Sequence, residues 1–215
     1  MFRHILLAAS IVFSPLFMAS TSAAIPLGFS CLTNNSAADC ATGEAQLSVE
    51  VSDLGGGQVQ FDFTNAVGLA SSITDVYFDD GTLLGIASIV ASAGVDFAQN
   101  ATPGNLPGGN LASPAFVATA GFSLDSNSPM LPQNGVDMSG EVLSVIFDLQ
   151  FGGTFADVLA ELANGDLRIG LHVQAFSGGD SDSFVNLPVP EPGTALLVGL
   201  GLTALATRRG SRLTL

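Results

Sequence analysis

Apolar and polar residues alternate along several short stretches of the chain, and this period of two limits the possible fold more than any other feature. The clearest stretch is an apolar series separated by mostly polar residues: Leu143, Val145, Phe147, Leu149 and Phe151. Successive side chains of a strand point to opposite faces, so this series predicts a strand with one face in the core. Several such stretches favour an antiparallel β fold.

The same alternation recurs along the chain, separated by turn residues. Ala45–Val51 and Val59–Phe63 predict a first antiparallel pair, with Gly55–Gly57 as its hairpin turn. The other predicted strands are Ile73–Phe78, Leu83–Ala91, Phe116–Leu124, Val142–Phe151 and Leu167–Phe176. Ala98–Ser113 and Asp125–Gly140 are rich in Gly, Pro, Asn and Ser and are predicted to be loops. Roughly seven or eight short strands indicate a mainly all-β fold, an antiparallel β-sandwich or jelly roll.

One segment has helical spacing instead. In Thr154–Ala163 the apolar residues recur every three or four positions. Thr154 is a suitable N-cap, Asp157 lies where a capping box needs an acid, and Gly165 follows as a stop signal. The sequence therefore predicts one short helix within the β domain.

Composition and charge exclude two broad classes of protein. Hydrophobic residues make up 47% of the chain and charged residues 11%, the reverse of the balance found in disordered chains. The formal net charge is −14, and the chain contains no lysine. Such a protein repels phosphate backbones, so nucleic acid is not expected as a partner.

The N-terminus has the order of a secretory signal peptide. Arg3 and His4 precede the apolar run Ile5–Phe17, and small residues follow up to Ala24. Cleavage is expected after Ala24, with Ala23 as the alternative, so residues 1–24 are assigned to the signal peptide. A permanent anchor is disfavoured because the apolar run is shorter than the ~20 residues that a spanning helix needs.

Cys31 and Cys40 are the only two cysteines, and both lie in the part of the chain that would be exported. Cysteines close in sequence in an oxidising compartment are expected to form a disulfide. The spacing does not match a Cys-x-x-Cys metal or redox motif, and no histidine lies nearby.

The C-terminus combines an apolar segment with a basic end. Gly193–Thr207 is almost wholly apolar and is followed by three arginines, Arg208, Arg209 and Arg212. The positive-inside rule keeps such arginines in the cytoplasm. A helix over Gly193–Thr207 would be about 22 Å long against about 30 Å of hydrocarbon, which suits a brief membrane stop better than a lasting anchor. A persistent C-terminal anchor is the alternative.

The order of three features at this end resembles the PEP-CTERM protein-sorting signal. These features are the Val189, Pro190, Glu191, Pro192 motif, the short apolar helix and the arginine cluster, which together span residues 188–212. The resemblance implies recognition of Pro-Glu-Pro by an exosortase, a membrane-embedded cysteine protease that would remove the tail and release or re-attach the protein. It also implies a Gram-negative host that produces exopolysaccharide and biofilm. Residues 25–187 are then the exported β-sandwich-like domain.

Few residue types remain for chemistry between the two signals. His172 is the only histidine there and Arg168 the only basic residue besides it. No Gly-x-Ser-x-Gly motif accompanies His172, so a structural or surface role is the better interpretation. Four acids lie in Gly- and Ser-rich turns that offer oxygen ligands for Ca²⁺: Asp79, Asp80, Asp180 and Asp182. Acidic turns without a bound ion are the alternative, and Arg168 is a candidate partner for one of these acids.

Taken together, the sequence predicts an exported, non-enzymatic protein of the cell surface or extracellular matrix. Its expected processing enzymes are signal peptidase and an exosortase, and the membrane is a partner of the precursor only. No cofactor is expected, apart from the possible Ca²⁺. A calcium-assisted polysaccharide-binding module is the alternative, with exopolysaccharide as its partner. A secreted hydrolase that uses a pair of carboxylates is the weaker alternative.

Overall fold

The computed structural model describes residues 24–66, 68–124 and 132–188. The strands are β1 Ile25–Cys31, β2 Leu47–Gly55, β3 Gln58–Asn65, β4 Ser72–Asp79, β5 Leu84–Ala91, β6 Phe97–Gln99, β7 Ala120–Leu124, β8 Leu143–Leu149, β9 Arg168–Gln174 and β10 Asp182–Asn186. The α-helices are α1 Ala37–Gln46 and α2 Phe155–Asn164. Two 3-10 turns cover Gly109–Leu111 and Pro132–Asn134.

All strand pairs are antiparallel, and their order is β5-β8-β3-β2-β1-β10-β9-β4-β7-β6. Strand β1 belongs to both halves, because Ile25–Gly28 pairs with β2 and Phe29–Cys31 pairs with β10. We call β5-β8-β3-β2-β1 sheet A and β1-β10-β9-β4-β7-β6 sheet B. The predicted all-β class is confirmed.

The core lies between the inner faces of the two sheets. Phe61 and Phe147 of sheet A meet Phe78 of sheet B edge to face, with ring centroids 5.0 and 4.8 Å apart. Phe122 joins the same group at 6.0 Å from both Phe78 and Phe147. Edge-to-face aromatic pairs add about 0.5–1.5 kcal/mol each beyond the area that they bury. This phenylalanine cluster explains why apolar alternation on β3, β4 and β8 leads to one shared core.

The predicted helix is confirmed as α2. The Thr154 hydroxyl accepts from the Asp157 backbone N–H, and Asp157 Oδ2 accepts from the Thr154 N–H at 2.8 Å, which completes the capping box. Gly165 ends the helix in the left-handed conformation. The prediction of a single helix is wrong, because α1 is a second one. It packs against β1 and β10, and a Cβ atom at Gly43 would overlap the Phe184 ring.

Several strand predictions extend too far, and Ala45–Val51 includes the last two residues of α1. Strand β8 ends at Leu149, and Phe151 lies in the following turn with a positive φ and 91% of its surface exposed. Strand β7 begins at Ala120, whereas Phe116 lies in the preceding loop. Phe116 is nevertheless buried, because this loop folds over the outer face of sheet B and packs on Tyr77 and Leu106. The loop therefore forms a second, smaller core.

Three strands were not predicted: β1, β10 and the short β6, which overlaps the start of the predicted loop Ala98–Ser113. Neither of the two helices within the described ranges is long and apolar enough to cross a membrane. The predicted signal peptide, up to residue 23, and the C-terminal sorting helix lie outside the described residues.

Candidate functional site

The outer face of sheet B carries a histidine and an aspartate on neighbouring strands. Asp75 of β4 lies opposite His172 of β9 in the strand register. His172 Nδ1 and Asp75 Oδ2 are 2.9 Å apart, which is hydrogen-bond distance. Residues paired across an antiparallel ladder point to the same face, so the register itself brings the two side chains together.

Two further polar side chains hold this pair in place. The Thr74 hydroxyl donates to Asp75 Oδ2 at 2.9 Å and lies 3.2 Å from the His172 carbonyl oxygen. Gln174 Nε2 lies 3.3 Å from His172 Nδ1. Asp75 is 5% exposed, so its carboxylate depends on these partners for the hydrogen bonds it loses with water. The four residues form a connected polar cluster at the sheet surface.

The loop between β6 and β7, residues 100–119, lies beside this cluster and shields one side of it. Tyr77, two positions after Asp75, is fully buried beneath the loop, and its hydroxyl donates to the Pro103 carbonyl at 2.9 Å. Burial, and secondarily the charge of Asp75, raises the pKa of Tyr77 above its ordinary value. Tyr77 is therefore a neutral anchor for the loop.

Two adjoining cavities extend from this cluster to the turn before β10, an inner one of about 120 Å³ and an outer one of about 510 Å³. Pro132 and Gln174 line both parts. We call this the outer groove, and its other lining residues are Asn35, Thr74, Asp75, Thr102, Pro103, Ser123, Leu124, His172, Ala175, Gly179, Asp180 and Ser181. These side chains suit a hydroxyl-rich ligand by hydrogen bonding, without an aromatic platform among the lining residues.

Asp182 lies beside the groove but is fully engaged in holding the structure together. It is 1% exposed, and its Oδ1 accepts from the Thr33 hydroxyl and the Asn35 backbone N–H, both at 2.7 Å. Its Oδ2 accepts from the Ser36 N–H at 3.3 Å. Ser36 is the N-cap of α1, so Asp182 ties β10 to the start of this helix.

The four acids considered for Ca²⁺ do not gather in one place. Strand β9 pairs Arg168 with Asp79 at one end and Val173 with Asp182 at the other. At about 3.4 Å per residue the two ends are about 17 Å apart. Asp180 is exposed and lines the outer groove.

At the first end, Asp79 forms an ion pair with Arg168 and accepts from the Val117 N–H at 3.0 Å. The guanidinium also donates to the carbonyl oxygens of Pro114 and Ala115 and lies 5.3 Å from the ring centroid of Phe116. Arg168 is thus the partner that the sequence suggested for one of the acidic turns. Asp80, the next residue after Asp79, is buried, with 2% of its surface exposed.

Cys31 and Cys40 form the predicted disulfide, which joins the end of β1 to α1. Both sulfur atoms lie close to a carboxylate oxygen of Asp182. Because the sulfurs are bonded to each other, they are not thiolate ligands, and this group does not suit a metal ion.

The sequence analysis did not single out Asp75 or Gln174. One signal was available for Asp75: it directly precedes the apolar run Val76–Phe78, and a charged side chain in a buried strand needs a partner. The contact itself joins residues 97 positions apart, which no local pattern reveals.

Comparison with known protein families identifies the C-terminal segment. Residues 188–210 match the family model of the PEP-CTERM protein-sorting motif. No curated protein and no solved structure matches the chain. Val189, Pro190, Glu191, Pro192 and the arginines Arg208 and Arg209 fall inside the matched segment, and Arg212 follows it; all lie outside the described residues. The motif marks an exported precursor that passes through the membrane and is targeted to an exosortase.

Proposed function

We propose that this protein is a non-enzymatic β-domain component of the cell surface or extracellular matrix. Its PEP-CTERM sorting motif marks it as an exported protein targeted to an exosortase. The sorting motif at residues 188–210 is the observation that carries this proposal. Strand β10 ends at Asn186, immediately before the motif. Removal of the tail would therefore leave all ten strands intact.

The charge of the domain supports a place in a hydrated polymer matrix. Arg168 is the only arginine in the described ranges, the chain has no lysine, and the carboxylates are spread over many turns and strand faces. An acidic surface keeps a protein dispersed and attracts divalent cations. Such cations bridge it to anionic polysaccharide, which is the association with exopolysaccharide that we propose.

The surroundings of His172 support a non-enzymatic role. Its Nδ1 is engaged by Asp75, and within the described parts of the chain no serine or cysteine side chain is hydrogen-bonded to the imidazole. A nucleophile in contact with the histidine is what a hydrolytic triad requires. The two carboxylates that line the outer groove are not a free acid pair of the glycosidase type, because Asp75 is held by His172 and Thr74 and only Asp180 is exposed. A carboxylate hydrolase is the weakest candidate.

Calcium-assisted polysaccharide binding is the second candidate function, and the outer groove favours it. The outer part of the groove, with a volume of about 510 Å³, has room for sugar units and is lined by amide, hydroxyl and carboxylate groups that hydrogen-bond to hydroxyls. Asp180 is its one exposed carboxylate among the described lining residues and is available to a cation shared with the ligand.

Two measurements test these candidates. Fractionation of the host should find the protein in the surface or matrix fraction, and deletion of the exosortase should leave it in the inner membrane. Recovery mainly from the periplasm of the wild type would contradict the proposal.

Co-sedimentation with host exopolysaccharide, with and without Ca²⁺, distinguishes the two functions. Binding by the groove predicts a saturable, Ca²⁺-dependent interaction that Asp180→Asn and Gln174→Ala weaken, whereas Asp148→Asn on β8 leaves it unchanged. No saturable binding would eliminate the binding module and leave the structural role.

A further inference from the structure

Asp80 has a buried carboxylate oxygen without a donor. Asp80 follows β4, is 2% exposed, and uses its Oδ2 to accept from the Leu84 N–H at 2.8 Å. Its backbone N–H donates to the Thr119 hydroxyl at 3.1 Å. The other oxygen, Oδ1, is shielded from solvent and has no hydrogen-bond partner within the described residues. Native structures rarely leave such an atom unsatisfied unless an ion or water completes it.

The group facing Asp80 is a second carboxyl, that of Glu161. Glu161 lies in the second half of α2, is partly buried, and its carboxyl is within hydrogen-bonding reach of the Asp80 carboxyl. Two carboxylates in contact repel each other unless a proton or a cation lies between them. Two separate elements, the turn after β4 and helix α2, thus bring their negative groups to one point.

No side-chain cation within the described ranges neutralises this pair. Arg168 is the only arginine there, and its guanidinium is engaged by Asp79, Pro114 and Ala115. Neighbouring acids add further electrostatic repulsion: the charge of Asp79 repels the Asp80 carboxylate, and the charges of Asp157 and Asp166 repel the Glu161 carboxylate. The neutralising charge must therefore come from solution.

We propose that Asp80 and Glu161 together bind a divalent cation of the Ca²⁺ type, which joins the turn after β4 to helix α2. The ligands are hard carboxylate oxygens, which Ca²⁺ prefers, and water completes the coordination shell. With two protein carboxylates the affinity should fall in the weak range of extracellular modules, about 10⁻⁴–10⁻³ M. The sequence suggested Asp79 and Asp80 as neighbouring ligands. In the structure Asp79 is instead ion-paired with Arg168, and Glu161 is the second carboxylate of the proposed site. The proposal does not depend on polysaccharide binding, because the outer groove lies toward the opposite end of β9.

Thermal unfolding of the full-length chain in mild detergent at neutral pH tests the proposal, with EDTA or with millimolar Ca²⁺. Ca²⁺ should raise the unfolding midpoint of the wild type by several degrees. Glu161→Gln should abolish that rise while keeping α2 and the fold. Glu50→Gln is the matched control: it makes the same change at an exposed position of β2 and should retain the full rise.

Calorimetric titration with Ca²⁺ provides a second measurement that does not depend on variant stability. It should give one site per chain. A wild type that Ca²⁺ neither stabilises nor binds would overturn the proposal. So would a stabilisation that survives Glu161→Gln and disappears in Asp180→Asn, because the ion would then lie in the groove.

Discussion

The hydroxyl group of Thr33 donates to Asp182 Oδ1 at 2.7 Å and accepts from the backbone N–H that follows Asp182, at 2.9 Å. This reciprocal contact joins residues 149 positions apart. It fastens the segment after β1 to the first residues of β10, so the strand that precedes the sorting motif is tied to the N-terminal end of the domain.

Loss of the Asp182 carboxylate should therefore destabilise the domain. Asp182→Ala leaves the part-buried donors of Thr33, Asn35 and Ser36 without this acceptor, and hydrogen bonds to a charged group contribute about 1.5–3 kcal/mol each. We expect the free energy of unfolding in urea to fall by about 2–4 kcal/mol. Asp180→Ala, two positions away and exposed, should change it by no more than about 0.5 kcal/mol. Equal effects of the two changes would contradict the structural assignment.

Arg168 should hold the loop that forms the smaller core. Its guanidinium contacts Asp79, two backbone carbonyls and the Phe116 ring, an arrangement that the ammonium group of lysine cannot reproduce. Arg168→Lys should cost about 1–2 kcal/mol and speed amide hydrogen exchange in residues 115–118. Exchange in β8, on the other sheet, serves as the internal control. Unchanged protection of residues 115–118 would show that Arg168 does not fix this loop.

Stability should increase on mild acidification in metal-free buffer. Burial raises the pKa of Asp80, Glu161 and Asp137, so the folded state holds protons that the unfolded chain releases. Their contribution to stability is present below the ordinary values of 3.8 and 4.5 and is lost as the pH rises through the folded-state values. The unfolding midpoint in EDTA should thus be higher near pH 5 than near pH 8. Glu161→Gln should flatten this dependence; an unchanged slope would contradict it.

At still lower pH, further acidification should destabilise the protein instead of stabilising it. The capping-box contacts with Thr154 lower the pKa of Asp157, so its contribution is present above 3.8 and lost as the pH falls through its folded-state value. Helix α2 should lose its N-terminal cap in that range. Circular dichroism should show this loss in the wild type, and Asp157→Asn should remove the transition.

Reduction of the disulfide should weaken the N-terminal end of the domain. Cys31 and Cys40 are nine positions apart in the sequence, so the bond between them closes a short loop. In the chain-entropy model such a loop contributes roughly 2–3 kcal/mol. Urea unfolding with and without a reductant should differ by this amount, and a double Cys→Ala variant should show no difference. A reductant effect in that variant would point to another cause.

The elements with a strong local pattern were predictable from the sequence. Alternation marked β3 and β8, and the Thr154–Asp157 box marked the start of α2. Helix α1 also begins with a cap signal, Ser36 three positions before Asp39, but it has no regular apolar stripe, because its buried residues include Asp39, Gly43 and Gln46. It forms because tertiary contacts with β1 and Phe184 outweigh weak local preference.

The other elements and most of the candidate site depend on buried polar residues, which local sequence patterns do not reveal. Strand β10 begins with Asp182 and Ser183, which look exposed in sequence but are buried through hydrogen bonds to distant residues. The pairs of Asp75 with His172 and Asp80 with Glu161 depend likewise on strand register and helix placement. The sorting motif is linear, and for that reason it could be recognised without a structure.

Mass spectrometry of the protein recovered from the cell surface tests the central claim most directly, namely that the C-terminal segment is a sorting signal removed by an exosortase. The wild type should yield peptides from the β domain and none from Leu196–Arg212. Glu191→Ala should keep those peptides and remain in the inner membrane. Surface protein of the wild type that still carries Leu196–Arg212 would contradict the claim.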